Sequence, residues 1–211
     1  MQAQRLCDLA RFKKLTRFLI NHPRVVQEFR ENDDPKEQCV HAVVDADNGG
    51  DIKTRRSTVG QAIKLYGNVV KHACNLLTTT GLSSAENEYY AISAGATSGL
   101  GVQAMMADWG IEAAVKVAVK VSSDSSAARA FASRRGLGRL KHIQTRYLWV
   151  QERVAQKALT LATVASKENV ADLLTKMLSW ADVRRHMKSM RMLYADGRAG
   201  KAKQLIGAER G

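Results

Sequence analysis

Cys39-Val-His-Ala-Val-Val-Asp-Ala-Asp-Asn-Gly-Gly-Asp51 is the stretch on which the fold turns. Its first seven residues form an apolar run of the length of a buried strand, and the run ends on a carboxylate, Asp45. Asn48, Gly49, Gly50 and Asp51 supply turn chemistry directly after it, and residues 53–56 follow as a basic loop. Downstream, residues 61–66 and 68–77 read as a hairpin with Gly67 and Asn68 at its tip, and residues 84–108 as a long helix. Val115, Val117, Val119 and Val121 alternate with Lys116, Ala118 and Lys120, the period of two that marks a strand. Helices are predicted over 125–134, 140–156, 169–177 and 180–194, with a strand over 158–164. Upstream, Leu6, Leu9, Phe12, Leu15, Phe18 and Leu19 lie on helical spacing, and that helix must stop before Pro23. The acidic, turn-rich segment 31–37 leads into the central domain. The order predicts an α/β chain: an N-terminal helix and linker over 1–37, a central domain over 38–178, and a C-terminal helix and basic tail over 179–211.

Composition narrows the function classes. A 211-residue chain with 45% hydrophobic residues and only two prolines is neither disordered nor collagen-like. No apolar run approaches the roughly 20 residues that cross a bilayer, so no membrane partner is expected. Lys and Arg number 33 against 20 acids, a net charge of +13, which points to a polyanion, nucleic acid ahead of anionic lipid. Cys7, Cys39 and Cys74 are odd in number and contain no CxxC pair, so neither a disulfide partner nor a zinc ribbon is expected. This cysteine usage fits a reducing intracellular compartment, cytoplasm or nucleus, with the basic first helix admitting the mitochondrion.

Four acids fall at element boundaries: Asp45 at the end of the first strand, Glu88 one turn into the long helix, Asp124 after the valine strand, and Asp172 after the last strand. Hard divalent cations need carboxylate oxygen, and acids at adjacent strand ends are one way to supply it. Spacing alone does not bring them together. Arg134, Arg135, Arg139, Lys141 and Arg146 form a basic stretch suited to a phosphate backbone, and Arg184, Arg185, Lys201 and Lys203 extend the positive charge toward the C-terminus. The glycine loop at Gly136 and Gly138 lacks the Lys-Ser/Thr of a phosphate-binding loop. Trp109, Trp149 and Trp180 read as packing residues rather than base-stacking platforms.

A resemblance adds to this. Residues 45–51 (DADNGGD) with 54–60 (TRRSTVG) are similar to the DADWAGD…TRRSTSG opening of the ribonuclease H domain of copia-type retrotransposon polyproteins. Residues 82–91 (LSSAENEYYA) resemble its LSSTEAEYxA, and 123–128 (SDSSAA) its CDNQSA. Residues 141–147 (KHIQTRY) resemble KHIDIRY, and 171–176 (ADLLTK) resemble ADILTK. The resemblance implies a ribonuclease H-like fold, a five-stranded mixed sheet flanked by helices with three antiparallel and two parallel strands, plus N- and C-terminal helical extensions. It implies a metal-dependent endonuclease that cuts the RNA strand of RNA–DNA hybrids, with Asp45, Glu88, Asp124 and Asp172 holding two Mg²⁺ or Mn²⁺ ions. It also implies a separated or domesticated fragment, and so a second reading: a non-catalytic RNA-binding subunit among the proteins of a ribonucleoprotein, such as an organellar ribosome. Glu88 is chosen over Glu86 because it precedes the Tyr-x-Ala step, while Ser83-x-x-Glu86 is a capping box. Asp45 is preferred to Asp47, a turn acid. Asn48-Gly49 depart from the family's Trp-Ala, Gln144 from an Asp, and residues 163–169 carry no histidine.

Overall fold

The computed structural model describes residues 6–31, 34, 38–111, 117–138 and 143–197. The chain divides into two compact units: Phe29–Arg191, and the segments before and after it, up to Glu28 and from Met192.

The larger unit is built on one five-stranded sheet of β2 (Val40–Ala46), β3 (Thr58–Leu65), β4 (Asn68–Leu76), β5 (Val119–Ser123) and β6 (Leu159–Thr163). Their order is β4-β3-β2-β5-β6. β3 pairs antiparallel with both β2 and β4, whereas β5 runs parallel to β2 and β6 parallel to β5. Hairpin connections account for the antiparallel half, and helical crossovers for the parallel half. This is the ribonuclease H-like fold, with the strand directions that the motifs imply.

Val40, Ala42 and Val44 alternate onto one face of β2 and pack under α2 (Ser84–Asp108), joined by Val119 and Val121 of β5. Ser83 caps α2, accepting a bond from the Glu86 amide at 3.2 Å. Gly95 faces the side chains of Val44 and Ala42 so closely that a Cβ there would run into Val44 Cγ1. Tyr89 meets Phe131 of α3 (Ser126–Ser133) edge to face, with ring centroids 4.5 Å apart. α4 (Trp149–Ala155) adds Val150 to this core. On the other face lies α5 (Asp172–Thr175), a single turn over β3.

Several expectations are corrected. The β3–β4 turn is Tyr66-Gly67, both at positive φ (48° and 76°), a mirror-type turn that matches strand twist. Among the described residues β5 begins at Val119, with Val117 and Ala118 outside it, and the part of the expected strand at Val115 and Lys116 lies outside the described residues. The helix expected over 140–156 is shorter. Gln144 is extended and Thr145–Tyr147 is a 3₁₀ turn, because the Tyr147 carbonyl accepts the Tyr89 hydroxyl at 2.6 Å instead of continuing a helix. α6 (Trp180–Ser189) stops well before Tyr194. Arg191 is left-handed there (φ 57°), its guanidinium held by Asn68 at 2.7 Å, and the chain turns into a strand. Trp149 is half-buried and packs against the core, as expected of a packing residue, whereas Trp109 and Trp180 are 67% and 45% exposed.

The smaller unit holds α1 (Leu6–Asn21), which buries none of its side chains, and a two-stranded antiparallel ladder, β1 (Arg24–Gln27) with β7 (Met192–Ala195). His22 stacks on Tyr194 at 4.3 Å. Among the described residues no helix is long and apolar enough to cross a membrane. All three cysteines are free thiols.

Candidate functional site

The parallel half of the sheet sends the C-terminal ends of β2 and β5 to the same edge, where Asp45 ends one strand and Asp124 follows the other. Glu88, in the second turn of α2, completes the group: one carboxylate oxygen from each of Asp45, Glu88 and Asp124 lies within 4.8 Å of the others. Asp45 is 1% and Glu88 9% exposed. Glu88 is anchored on both oxygens, accepting the Ala46 amide at 3.4 Å and the Ser123 hydroxyl at 3.3 Å. Asp124 accepts the Ser166 hydroxyl at 2.7 Å.

Burial, then the facing charges of Asp45 and Asp124, push the Glu88 carboxyl up to about 8. At neutral pH and without a cation, Glu88 therefore keeps a proton. Two buried carboxyl groups and a half-buried one, with only oxygen donors, suit a hard divalent cation, which would relieve the same repulsion that raises Glu88.

Asp172 is placed differently. It lies outside the three-carboxylate group and joins Asp45 through Lys176, whose ammonium stands 2.8 Å from Asp172 Oδ1 and 3.1 Å from Asp45 Oδ1. Burial works against the Lys176 charge, but its hydrogen bonds to Asp172 and Asp45 outweigh it and hold the ammonium charged. Thr175 donates its hydroxyl to Asp45 Oδ2. Asn169, fully buried, fixes this turn by donating to the Val44 carbonyl at 3.1 Å. Lys176 was not singled out by sequence reasoning; the signal was its place in the ADLLTK motif.

The rejected acids have other work. Glu86 accepts the Leu82 amide at 2.8 Å and the Tyr90 hydroxyl at 2.5 Å. Asp47 accepts the Thr58 amide at 2.8 Å and the Gly50 amide at 3.2 Å, pinning the loop after β2.

The basic residues are dispersed. Arg134 is exposed, lies over the Phe131 ring at 4.5 Å and donates to the Leu137 carbonyl. Arg135 lines a cavity of about 370 Å³ with Gly136, Leu148 and Gln151, which none of the four acids enters. Arg146 covers the Tyr147 ring at 4.9 Å. Arg184 is exposed, and Arg185 pairs with Asp182 at 2.7 Å. Arg185, Lys167 and His186 line an open cavity of about 430 Å³ that reaches Asp172. Arg139, Lys141, Lys201 and Lys203 lie outside the described residues.

No protein-family model matches the chain. It is 29% identical over 134 residues to the retrovirus-related Pol polyprotein from transposon TNT 1-94 of Nicotiana tabacum, an alignment covering 64% of this chain and 10% of that one. Over 49 residues it is 47% identical to secreted RxLR effector protein 161 of Plasmopara viticola, covering 23% of this chain and 34% of the effector. The chain thus spans a small part of the curated relatives it matches. Among solved structures it is similar to LC11-RNase H1, isolated from compost, at 16% identity and a TM-score of 0.41, covering 65% of this chain and 93% of that one. Sheet order and strand direction give the larger unit a ribonuclease H-like fold, and about two thirds of the chain is similar to part of a Pol polyprotein.

Proposed function

We propose that this chain is a metal-dependent ribonuclease H-type endonuclease, of copia-type retrotransposon descent, that cuts the RNA strand of RNA–DNA hybrids. The observation that carries the reading is the convergence of Asp45, Glu88 and Asp124, from three separate elements, on one edge of a ribonuclease H-like sheet. These three would hold one Mg²⁺ or Mn²⁺, and Asp45 with Asp172 a second. Bound there, such ions supply a water of lowered pKa and stabilise the departing 3′ oxygen.

The chain's own residues set the rest. Asp45 is oriented through both oxygens by Thr175 and Lys176, so its carboxylate is preorganised. Glu88 carries the proton that cation binding must displace from its carboxyl. Ser166 fixes the rotamer of Asp124. The net charge of +13 supports attraction of a hybrid's phosphate backbone, whereas 2′-hydroxyl contacts and helix shape would distinguish the RNA strand.

The test is cleavage of a hybrid labelled on its RNA strand, with duplex DNA alongside. Cleavage of the RNA strand alone, dependent on Mg²⁺ or Mn²⁺ and absent from Asp124→Asn, is expected. Wild-type protein that leaves the hybrid intact at about 5 to 10 mM metal, roughly saturating for weak carboxylate sites, overturns the reading.

A further inference from the structure

Lys176 lies where the acidic site would otherwise be open to a cation. It follows the single turn of α5 in an extended conformation (φ −126°, ψ 150°), which turns its side chain back over Asp172 and toward Asp45. The side chains it bridges are 1% and 11% exposed, whereas its own is 41% exposed. One end of the bridge is thus fixed in the protein and the other reaches water. The four-carbon stem of a lysine can withdraw a compact ammonium into solvent without backbone movement. Two buried carboxylates facing each other do need a positive charge between them, because removing one member of such a group leaves an uncompensated buried charge.

We propose that Lys176 is an intrinsic counter-cation of the Asp45–Asp172 pair, so that a divalent ion binds between those two acids only by displacing the ammonium. The consequence is ordered loading. The position formed by Asp45, Glu88 and Asp124 meets the ammonium at Asp45 alone, with two further acids that Lys176 does not bridge, and fills first, whereas both acids of the Asp45–Asp172 position are held by it and that position fills only at higher ion concentration. Lys176 is a positioning residue, holding the two acids together before that second ion arrives. The inference rests on the reading of these acids as cation ligands, but not on cleavage.

The experiment is calorimetric titration of Mn²⁺ into wild type, Lys176→Met, Lys176→Arg and Asp172→Asn. Wild type should bind one ion well and a second weakly. Lys176→Met should tighten the second site at least tenfold and the first, which shares only Asp45 with the ammonium, by much less. Lys176→Arg, which keeps the positive charge, should behave as wild type, and Asp172→Asn should lose the weak site. Metal-free Lys176→Met should melt at a lower temperature than wild type and gain more from Mn²⁺. Identical isotherms for wild type and Lys176→Met overturn the inference. Should that variant not fold, wild-type crystals soaked at rising Mn²⁺ decide. A second ion appearing only with Lys176 swung away supports it, and one appearing with the ammonium still on both acids overturns it. Protein that shows this Lys176-dependent binding but does not cut a hybrid overturns only the nuclease reading. Protein that cuts while Lys176→Met binds Mn²⁺ as wild type does overturns only this inference.

Discussion

Asp45 and Gly60 are partners across the antiparallel ladder of β2 and β3, and the bareness of Gly60 is what lets α5 reach Asp45. A Cβ at Gly60 would lie 2.9 Å from the Ala171 carbonyl oxygen, from Leu174 Cβ and from Thr175 Cγ2. Two of those three atoms belong to backbone or to a side chain rooted at it, so the turn carrying Thr175 and Lys176 would have to lift. Gly60→Ala should therefore cost about 1 to 3 kcal/mol, the range for overpacking, measured by urea unfolding. It should also slow hybrid cleavage by loosening Asp45. An unfolding midpoint equal to wild type would contradict this close approach.

Glu86 and Glu88, two residues apart, should separate stability from chemistry. Glu86→Gln weakens the charged bonds to the Leu82 amide and the Tyr90 hydroxyl. It should destabilise the protein by about 1 to 2 kcal/mol while cleavage persists at a temperature where the variant is folded. Glu88→Gln should retain the fold and lose cleavage by at least roughly a hundredfold, since cation ligation supplies several kcal/mol of charge stabilisation. Reversed phenotypes would exchange the two roles.

The raised Glu88 carboxyl makes metal-free stability depend on pH. Its ordinary value is 4.5 and its folded value about 8, so in that interval the folded protein binds more protons than the unfolded chain. Its contribution is complete below about pH 4.5 and is lost as pH rises toward 8, with a slope of at most about 1.4 kcal/mol per pH unit. His41 acts oppositely at lower pH. Burial, with Lys120 and Lys64 nearby, lowers it to about 3, so stability is lost as pH falls below 6.5. The Glu88 effect should thus emerge between about pH 6.5 and 8 in EDTA, and Glu88→Gln should flatten it. Equal slopes in the two proteins would assign the dependence elsewhere.

Hybrid affinity should fall steeply with salt. Each phosphate contact contributes roughly −0.7 to −0.9 to the log–log slope, so about five to seven contacts give a total near −4 to −6. Deleting residues 197–211, which contain Lys201 and Lys203, should lower both affinity and slope in fluorescence anisotropy. An unchanged slope would remove the tail from the binding footprint.

What was legible in the sequence is what local pattern encodes. The start of α2 follows from the Ser83-x-x-Glu86 cap, and β2 from its apolar run. The gathering of Asp45, Glu88 and Asp124 was not legible from spacing, because it depends on a parallel pairing of β2 with β5 across a long crossover; the motif resemblance supplied it. Lys176 escaped notice because a lysine after a short helix has no pattern that predicts which way its stem turns. The end of α6 was misread because Met190 and Leu193 continue an apolar helical spacing, and only the left-handed Arg191 ends it.

The ladder of β1 with β7 has a kinetic consequence. Gln27 and Met192 are partners although about 165 residues separate them, so forming this pair closes the longest loop of any ladder in the described chain. Contacts of that separation are entropically costly early in folding and form late. With only four residue pairs, most of them half-exposed, this ladder should also be the first to open in the native protein. The chain's two ends would then come apart while the sheet that carries the acids stays closed, and amide exchange should be fastest at Val25 and Leu193 and slowest in β2.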